Sequence, residues 1–491
     1  MIEQLQSVTM DNYLYRYRPI DAVLDGFHEL DEQQIYFSTP AELNDPMEGF
    51  RDLFWKGDAI VWRNLLKHYF LCLLQTTYYC FVAGAEFKSD ILDNFVFSVP
   101  ETLPRAPIRD IYSRLTAEFL ATPVVEKFLH LMGSRTTEVR RNELTGYLRA
   151  MHSFAIPIIL TDLRNRGLTA PQGFNVDPAQ RETLTASAIK MMEGVTKITS
   201  EQYPPERISE ALFSVNEAAM DQMMMIAECR SADWTKEKPI AFFTHRFPTK
   251  YVAALDKLVY RDWYAACFAN TPSNHSMWST YAGGHRGVCL IFKPNDSAEG
   301  DQTLTLTQIT SMGGSPGHEP EYGRSEVRNV IRPVRYTTEY PPIDFFRSLG
   351  AIPQSHMDQF WYSGDKSFST CRDAIYTDID GWRRNYWKRF DESTMCKTPE
   401  WAHEQEHRIV IHSSFDIRPK ERRKLGYRFQ DLAGIVFGIR TDSEDKLKII
   451  KIIDAKCAKA KRSDFKFFEL RYLNTESRFQ VFPLNLIQIK Y

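Results

Sequence analysis

A long block of helical periodicity, set between segments with the pattern of strands, limits most strongly what this chain can fold into. Between residues 53 and 230, apolar residues recur at three- and four-residue spacing in six segments: Ile60–Tyr79, Ile108–Leu120, Val124–Met132, Glu143–Leu160, Arg181–Met192 and Ile208–Cys229. This spacing puts apolar side chains on one face of a helix. The block is therefore predicted to be mainly α-helical.

Short runs of aromatic and β-branched residues flank this block on both sides, which is typical of strands. They are Leu14–Arg18, Gln34–Ser38, Tyr264–Phe268, Gly287–Phe292, Val327–Tyr336, Arg408–His412, Gly434–Gly438, Phe467–Leu473 and Arg478–Phe482. We predict an α+β protein with a mixed or mostly antiparallel sheet and flanking helices. Residues 1–52 and 240–491 form the sheet core, and a large α-helical insertion, residues 53–239, interrupts it. The polar, Gly-rich stretch 296–323 is predicted to be a long mobile loop.

Composition excludes several classes of protein. The 491 residues carry 61 Lys and Arg against 63 Asp and Glu, and 43% of them are hydrophobic. A balanced charge with this apolar content excludes a mostly disordered chain and a protein whose whole surface attracts nucleic acid.

The chain has the features of a cytoplasmic protein. Its eight Cys form no C-x-x-C pair, so a disulfide scaffold is not expected. Residues 1–10 lack the basic and then apolar stretch of a signal peptide. The most apolar segment, residues 69–83, is interrupted by Gln75, Thr76 and Thr77, which favours a buried helix over a membrane span. We expect no membrane partner.

Three separated motifs occur in order along the chain. The first is L-Y-R-Y-R at residues 14–18 with Y-F-S-T-P-A-E-L-N-D-P-M-E at 36–48. The second runs from A-C-F at 266–268 through M-W-S-T-Y-A at 277–282 to H-R-G-V-C at 285–289, and the third is E-W-A-H-E-Q-E-H-R-I-V at 400–410. This set resembles a bacterial family known only as domain of unknown function 2971. The resemblance covers about residues 10–52 and 260–485 and implies no established activity.

The order of the motifs also resembles that of ADP-ribosyltransferases, which use an Arg or His on the first strand, a hydroxyl or aromatic residue beside the nicotinamide, and a late Glu. The resemblance implies NAD, a small-molecule dinucleotide, as the substrate. It implies that Arg16 anchors NAD, Ser38 contacts the ribose and Tyr281 stacks on the nicotinamide. It further implies Glu406 as the catalytic carboxylate and Glu404 as its partner. The remaining substrate contacts are expected from Arg18, Asn44, Trp278, His285 and Arg408.

The chemistry of such an enzyme gives each residue type a reason. Cleavage of the nicotinamide–ribose bond passes through an oxocarbenium-like state, and a carboxylate on the ribose 2-hydroxyl strengthens its contact as that charge develops. An Arg fixes phosphate or ribose through charge-assisted hydrogen bonds. An aromatic face stacks on the nicotinamide ring. With these residues the activity would be NAD-consuming ADP-ribosyl transfer or hydrolysis, of the toxin or phage-defence kind, and no metal is expected.

The same residues also have structural interpretations. Arg16 and Arg18 have the spacing of side chains on a surface strand, and Trp278 and Tyr281 have that of an amphipathic helix packed on a sheet. Residues 44–46, Asn-Asp-Pro, are typical of a turn whose side chains bond their own backbone. The sequence leaves both interpretations open.

A rival pattern lies on the third motif. Residues 403–407 spell H-E-Q-E-H, and on a helix His403 and His407 would share one face and bind zinc, as in a zinc hydrolase. The helix predicted there is short, and the strand that follows would separate the two His. Alternation of Glu404, Glu406 and Arg408 along one extended face is equally typical of a ladder of ion pairs.

Two further classes of function stay open. The chain would be a non-catalytic sensing or interaction protein if the helical insertion binds a protein partner. It would be a nucleic-acid-binding or nuclease effector if the basic clusters at residues 418–424 and 456–462 contact phosphates.

Overall fold

The computed structural model describes residues 12–81, 91–103, 106–168, 178–198, 202–230, 242–297, 300–315 and 319–489. The chain divides into two compact units. The first, here the sheet unit, contains Met1–Phe50, Asp262–Tyr340 and Asp391–Tyr491. The second, here the helical unit, contains Arg51–Arg261 and Pro341–Phe390. Residues 242–261 and 341–390 thus belong to the helical unit, although the sequence places them in the predicted sheet core.

The strands in the described residues are β1 (Leu14–Arg18), β2 (Gln34–Tyr36), β3 (Asp52–Trp55), β4 (Val139–Arg140), β5 (Trp263–Ala269), β6 (Val288–Phe292), β7 (Asn295–Asp296), β8 (Gln302–Gly313), β9 (Glu321–Val330), β10 (Arg332–Pro333), β11 (Arg335–Tyr336), β12 (Pro342–Asp344), β13 (Cys396–Lys397), β14 (Glu406–His412), β15 (Lys424–Tyr427), β16 (Leu432–Phe437), β17 (Lys466–Leu473) and β18 (Arg478–Pro483).

The α-helices are Ile20–Val23, Ala59–Phe81, Leu92–Phe95, Ala106–Leu120, Pro123–Ser134, Arg141–Asn165, Pro178–Thr196, Pro205–Cys229, Phe247–Ala254, Asp256–Val259, His275–Tyr281, Gln354–His356, Thr370–Tyr376, Ile379–Thr394 and Ser443–Ala460. Short 3₁₀ turns occur at Pro40–Glu42, Pro100–Thr102, Phe345–Arg347, Pro399–Glu404, Lys420–Arg423 and Phe429–Asp431, and π-helical segments at Phe242–Arg246 and Met357–Tyr362.

The sheet unit is built on an eight-stranded sheet in the order β10-β14-β5-β1-β6-β16-β17-β18. Its neighbouring strands are antiparallel except for β16 and β17, which are parallel and are joined by the helix Ser443–Ala460. Apolar side chains alternate between the two faces of the sheet: Leu14 of β1 belongs to one buried cluster, and Tyr15 and Tyr17 belong to the other. This alternation is the period-two pattern that predicted the strand, and the predicted α+β class is confirmed.

Strands β1 and β5 separate in the middle of the sheet. They pair only at Tyr15 and Ala269, whereas β1 pairs with β6 along its whole length. At the other end of β5, Ala265 exchanges two backbone hydrogen bonds of 2.9 Å with Ser38 instead. The sheet is therefore split at Cys267, between these two contacts.

A second sheet of the sheet unit corrects one prediction. Its order is β2-β15-β8-β7, and β9 pairs with β8. Strands β8 and β9 pair from Thr303 and Val330 to Gly313 and Glu321. All of β8 and the start of β9 lie in the stretch 296–323, which was predicted to be a mobile loop. That prediction was wrong because four successive residues of β8, Thr303 to Leu306, are buried, so this part of the stretch lies in the core on both faces.

The helical unit confirms the helical block, since each of the six predicted segments lies in a helix. The predicted buried helix corresponds to Ala59–Phe81, whose interior residues such as Tyr69, Phe70 and Leu73 are fully buried. A three-stranded sheet, β12-β3-β4, also lies in this unit. Within the described residues, no helix has the length and apolar content needed to cross a membrane.

Candidate functional site

A cavity of about 170 Å³ opens at the split between β1 and β5 in the sheet unit. Residues from all three sequence motifs line it, including Arg16, Arg18, Ser38, Asn44, Cys267, Tyr281, Lys397, Glu404 and Glu406. The structure therefore brings together side chains that lie almost four hundred positions apart in the chain.

Arg16 is a buried residue of β1 that lines the cavity. Its Nη1 donates to the Cys267 carbonyl oxygen at 3.1 Å, and its Nη2 donates to the Tyr36 carbonyl oxygen at 3.0 Å. The guanidinium thus links β1 to β5 through the Cys267 carbonyl and to β2 through the Tyr36 carbonyl. Burial and the neighbouring Arg18 lower the pKa of Arg16 to about 10. Only 5% of Arg16 is exposed, so it is not a surface-strand residue.

Arg18 also lines the cavity, but Glu29 holds its side chain. Its Nε donates to Glu29 Oε2 at 2.7 Å, and the carboxylate of Glu29 is almost completely buried. The strand β1 therefore presents two cationic side chains to the cavity, and Glu29 pairs with both, since its Oε1 also lies 4.0 Å from Arg16 Nη2.

A buried ion cluster, defined as Glu48, Lys397, Glu404, Glu406 and Arg408, adjoins the cavity. Lys397, Glu404 and Glu406 line the cavity, and Glu48 and Arg408 do not. Lys397 Nζ lies 2.6 Å from Glu404 Oε2 and 2.7 Å from Glu406 Oε2. Arg408 donates to both oxygens of Glu406, at 2.7 and 3.0 Å, and to both oxygens of Glu48, at 2.6 and 2.9 Å. None of the five side chains is more than 4% exposed. Glu404, Glu406 and Arg408 therefore belong to an ion-pair network, but Glu404 lies in a turn and not on the extended face that the structural interpretation predicted.

A change from turn to strand at Gln405 places both carboxylates at the cavity. The 3₁₀ turn Pro399–Glu404 has Pro at its first position and ends at Gln405, which has a left-handed backbone with φ of 46°. Strand β14 then begins at Glu406, whose backbone N–H donates to the Tyr336 hydroxyl at 2.8 Å. The turn and the strand thus present Glu404 and Glu406 to the same space.

The same change from turn to strand removes the helical spacing that the zinc alternative needs. His403 lies in the 3₁₀ turn and His407 in the strand, so they do not share one face of a helix. Their Nδ1 atoms instead lie near the backbone oxygens of Glu400 and Gln405. Within the described residues, no group of His, Cys, Asp and Glu has the arrangement of a metal site.

The charges of the cluster set its protonation states. Burial alone would raise the pKa of Glu406, but Arg408 and Lys397 lower it to about 2. Burial raises the pKa of Glu48 above its ordinary value despite the opposing effect of Arg408. Burial would lower the pKa of Lys397, but Glu406 and Glu404 raise it. Glu406 is therefore an ionised carboxylate and Lys397 a fixed cation at neutral pH.

We expect Glu406 to make stability depend on pH in the acid range. Its folded pKa of about 2 is below the ordinary value of 4.5, so its contribution is present above pH 4.5 and is lost as the pH falls towards 2. The measurement is the unfolding midpoint of the wild type and of Glu406→Gln between pH 6 and pH 2. The stability difference between the two proteins should shrink as the pH falls. A difference that stays constant would contradict this assignment.

Tyr281 reaches the cavity from the helix His275–Tyr281. Asn274 caps this helix, since its Oδ1 accepts from the backbone N–H of Met277 at 3.2 Å. The Tyr281 hydroxyl donates to Glu404 Oε1 at 2.5 Å. Burial and the Glu404 carboxylate raise the pKa of Tyr281, so it remains a neutral phenol that positions Glu404.

Three of the predicted substrate contacts lie away from the cavity wall. Trp278 is fully buried, packs edge-on against Tyr17 at 5.2 Å, and donates from Nε1 to a backbone oxygen. His285 is buried against His275 and Phe479. Arg408 is fully buried within the ion cluster. Ser38 and Asn44 line the cavity, as do the other predicted residues.

Sequence reasoning did not single out Lys397 or Glu48. Lys397 ends β13, two residues before the 3₁₀ turn, and Glu48 ends the first motif. One available signal was the excess of acidic residues in the third motif, since several buried carboxylates require a nearby cation. The carboxylate of Glu48 could not be connected to Arg408 from sequence because 360 positions separate them.

The first basic cluster, residues 418–424, is largely neutralised within the sheet unit. Arg423 is buried, and its Nη1 donates to Glu42 at 2.8 Å. Arg418 and Arg422 both pair with Asp416. These contacts argue against phosphate binding by this cluster.

A family model matches residues 277–409, and its description is protein of unknown function DUF2971. This is the family that the sequence motifs resemble. The DUF2971 match covers M-W-S-T-Y-A and E-x-E-x-R, and thus Tyr281, Lys397, Glu404, Glu406 and Arg408. The first motif, with Arg16 and Ser38, precedes the matched region. No curated protein and no solved structure matches the chain.

Proposed function

We propose that the sheet unit cleaves the nicotinamide–ribose bond of NAD and transfers ADP-ribose to water or to an acceptor, as a toxin or phage-defence effector would. The observation that carries the proposal is that Arg16, Ser38, Tyr281, Glu404 and Glu406 line one cavity. These are the residues to which the resemblance to ADP-ribosyltransferases gives roles, and they come from all three motifs.

The distribution of charge in the cavity supports a substrate that carries both negative and positive charge. Arg16 and Arg18 lie on the β1 side, whereas Glu404 and Glu406 lie on the other wall. NAD carries an anionic pyrophosphate and a cationic pyridinium ring, so each end has a complementary wall. The buried ion cluster contains three carboxylates and two cations, and its excess of carboxylate favours positive charge that develops on the ribose.

The size of the cavity limits which part of NAD it holds. A volume of about 170 Å³ is smaller than the roughly 300–1,000 Å³ of sites that enclose a whole drug-sized ligand. The cavity would hold the nicotinamide and its ribose, with Tyr281 beside the ring. The rest of the dinucleotide would lie outside it.

The proposed reaction balances in bonds, electrons and protons. The bond between ribose C1 and the nicotinamide nitrogen breaks, and its electron pair leaves with neutral nicotinamide. Water or an acceptor nucleophile then bonds to C1 and loses a proton. Glu406 needs no protonation change in this step, because its carboxylate acts as a fixed anion near the developing cation.

The test is incubation of the full chain with NAD, followed by chromatographic measurement of nicotinamide. We expect nicotinamide to appear in proportion to protein concentration, together with either free ADP-ribose or a modified acceptor. Inactivated protein and buffer serve as controls. If no nicotinamide forms with water, with cell extract or with the chain itself as acceptor, and NAD does not bind, the proposal is wrong.

A further inference from the structure

The helical unit contains a separate cavity of about 490 Å³. Its wall is formed by the helices Ala59–Phe81 and Ala106–Leu120 and by the π-helical segment Met357–Tyr362. Its volume is within the roughly 300–1,000 Å³ range of small-molecule sites. The cavity therefore has room for an organic ligand.

One side of this cavity is apolar and aromatic. Leu71, Leu120 and Trp361 are buried residues of the wall, and Phe360 is partly exposed beside them. Such a wall fits a flat aromatic group, because the burial of apolar ring faces against apolar side chains is favourable.

Two cations lie on the same wall, one helical turn apart. Arg63 and Lys67 are at i and i+4 of Ala59–Phe81, and like charges at this spacing repel. In the part of the chain that the structure describes, neither side chain forms an ion pair, although Asp365 on the rim acts electrostatically on Lys67. A bound anion would relieve this repulsion.

Among the described residues that line the cavity, Arg63 and Lys67 are the two cations. Both ring nitrogens of His68 are engaged, Nδ1 with the Tyr251 hydroxyl at 2.8 Å and Nε2 with the Val96 carbonyl oxygen at 2.9 Å. Burial lowers the pKa of His68 to about 4, so the ring is neutral. Thr116 is only 5% exposed, and its Oγ1 has no partner in hydrogen-bond geometry among the described residues. The Tyr112 hydroxyl, which faces Thr116, donates to the Lys67 carbonyl oxygen at 3.2 Å.

We propose that this cavity binds a small organic anion with an aromatic body. The anionic group lies between Arg63 and Lys67, the aromatic body lies against Trp361 and Phe360, and Thr116 offers a hydrogen bond to a polar atom of the ligand. The site is distinct from the proposed NAD cavity, and it does not depend on NAD cleavage. It would make the helical unit a ligand-sensing element.

The test uses two fluorescent probes that differ only in charge. 8-Anilinonaphthalene-1-sulfonate carries an aromatic body and a sulfonate, and N-phenyl-1-naphthylamine is the same body without the sulfonate. In titrations of the full chain we expect the sulfonate to bind saturably and about tenfold or more tightly than its neutral counterpart. Lys67→Met should weaken binding of the sulfonate about tenfold and leave binding of the neutral probe unchanged. Lys250→Met, an exposed Lys of the same unit outside the cavity, is the matched control.

A second pair of variants tests the location without changing charge. Ala117 is an exposed rim residue of the cavity, and Ala121 is exposed one turn later but does not line it. Ala117→Trp should abolish binding of both probes, and Ala121→Trp should leave it intact. Equal affinities for the two probes, absence of saturable binding, or an unchanged sulfonate affinity in Lys67→Met or Ala117→Trp would overturn the proposal.

Discussion

Replacement of Arg408 by Met is expected to lower the free energy of unfolding of the sheet unit by about 3–5 kcal/mol, the usual cost of breaking a buried ion pair. Arg408 is fully buried and donates to all four carboxylate oxygens of Glu48 and Glu406. Its Nη1 also donates to the Thr394 carbonyl oxygen at 2.9 Å. Without the guanidinium, Lys397 would be the remaining cation of the buried ion cluster.

Arg332→Met is the matched control for this substitution. Arg332 is the cross-strand neighbour of Arg408 in the β10–β14 pair, and it forms a salt bridge with Asp391. Both partners of that bridge are more than 40% exposed, so its loss should change stability by about 0–1 kcal/mol. The two variants thus compare the same change in chemistry at neighbouring buried and exposed positions.

Urea unfolding of the full chain, with hydrogen–deuterium exchange of peptides from β14 and β5, measures this effect locally. In Arg408→Met, stability should also fall as the pH rises. Burial already raises the pKa of Glu48, and a carboxyl with a raised folded pKa loses its stabilising effect as it ionises. A loss in Arg408→Met no larger than that in Arg332→Met would show that the cluster is not a source of stability.

The second large effect is expected on catalysis. Glu406→Gln should reduce the rate of nicotinamide release about 10²–10³-fold, which is typical when a group that stabilises transition-state charge is removed. Gln has nearly the volume of Glu but no negative charge, so the substitution removes the anion that faces the ribose. We expect the affinity for NAD to fall because Glu406 faces the cationic pyridinium, and kcat to fall further because positive charge develops on the ribose only in the transition state.

Glu469→Gln is the control for this catalytic prediction. Glu469 lies on β17 of the same sheet, pairs with Lys446 and Arg471, and does not line the cavity. Its substitution should leave nicotinamide release unchanged. Circular dichroism and the unfolding midpoint must show that Glu406→Gln is folded under assay conditions, since Arg408 loses a charged partner. A folded Glu406→Gln protein with wild-type activity would exclude Glu406 from catalysis.

The periodicity of the chain was sufficient to predict most of the secondary structure. The six helical segments were found because helices packed against a core repeat their apolar residues every three to four positions. Strands such as β14 and β17 were found from their β-branched and aromatic residues. Strand β8 was missed because the polar, Gly-rich composition of its stretch outweighed the short alternation of Leu304 and Leu306, whereas the end of β9 lies in the predicted strand Val327–Tyr336.

The motifs identified most residues of the cavity but not their partners. Arg16, Ser38, Tyr281, Glu404 and Glu406 were predicted from their order in the chain, and all line the cavity. Trp278 and His285 belong to the same motif, yet they are directed into packed interior. Sequence spacing indicates which residues share a segment, but the packing of that segment selects the side chains that reach the cavity.

By itself the sequence determined the helical and strand-forming segments, the family motifs and the absence of helical spacing around the two His of the third motif, because these are local properties. Tertiary structure alone decided that β1 and β5 separate, that Arg16 bridges the gap, and that Arg408 joins Glu406 to Glu48. It also decided that residues 341–390 belong to the helical unit. Such contacts join positions far apart in the chain, and burial of the whole core selects them rather than any local preference.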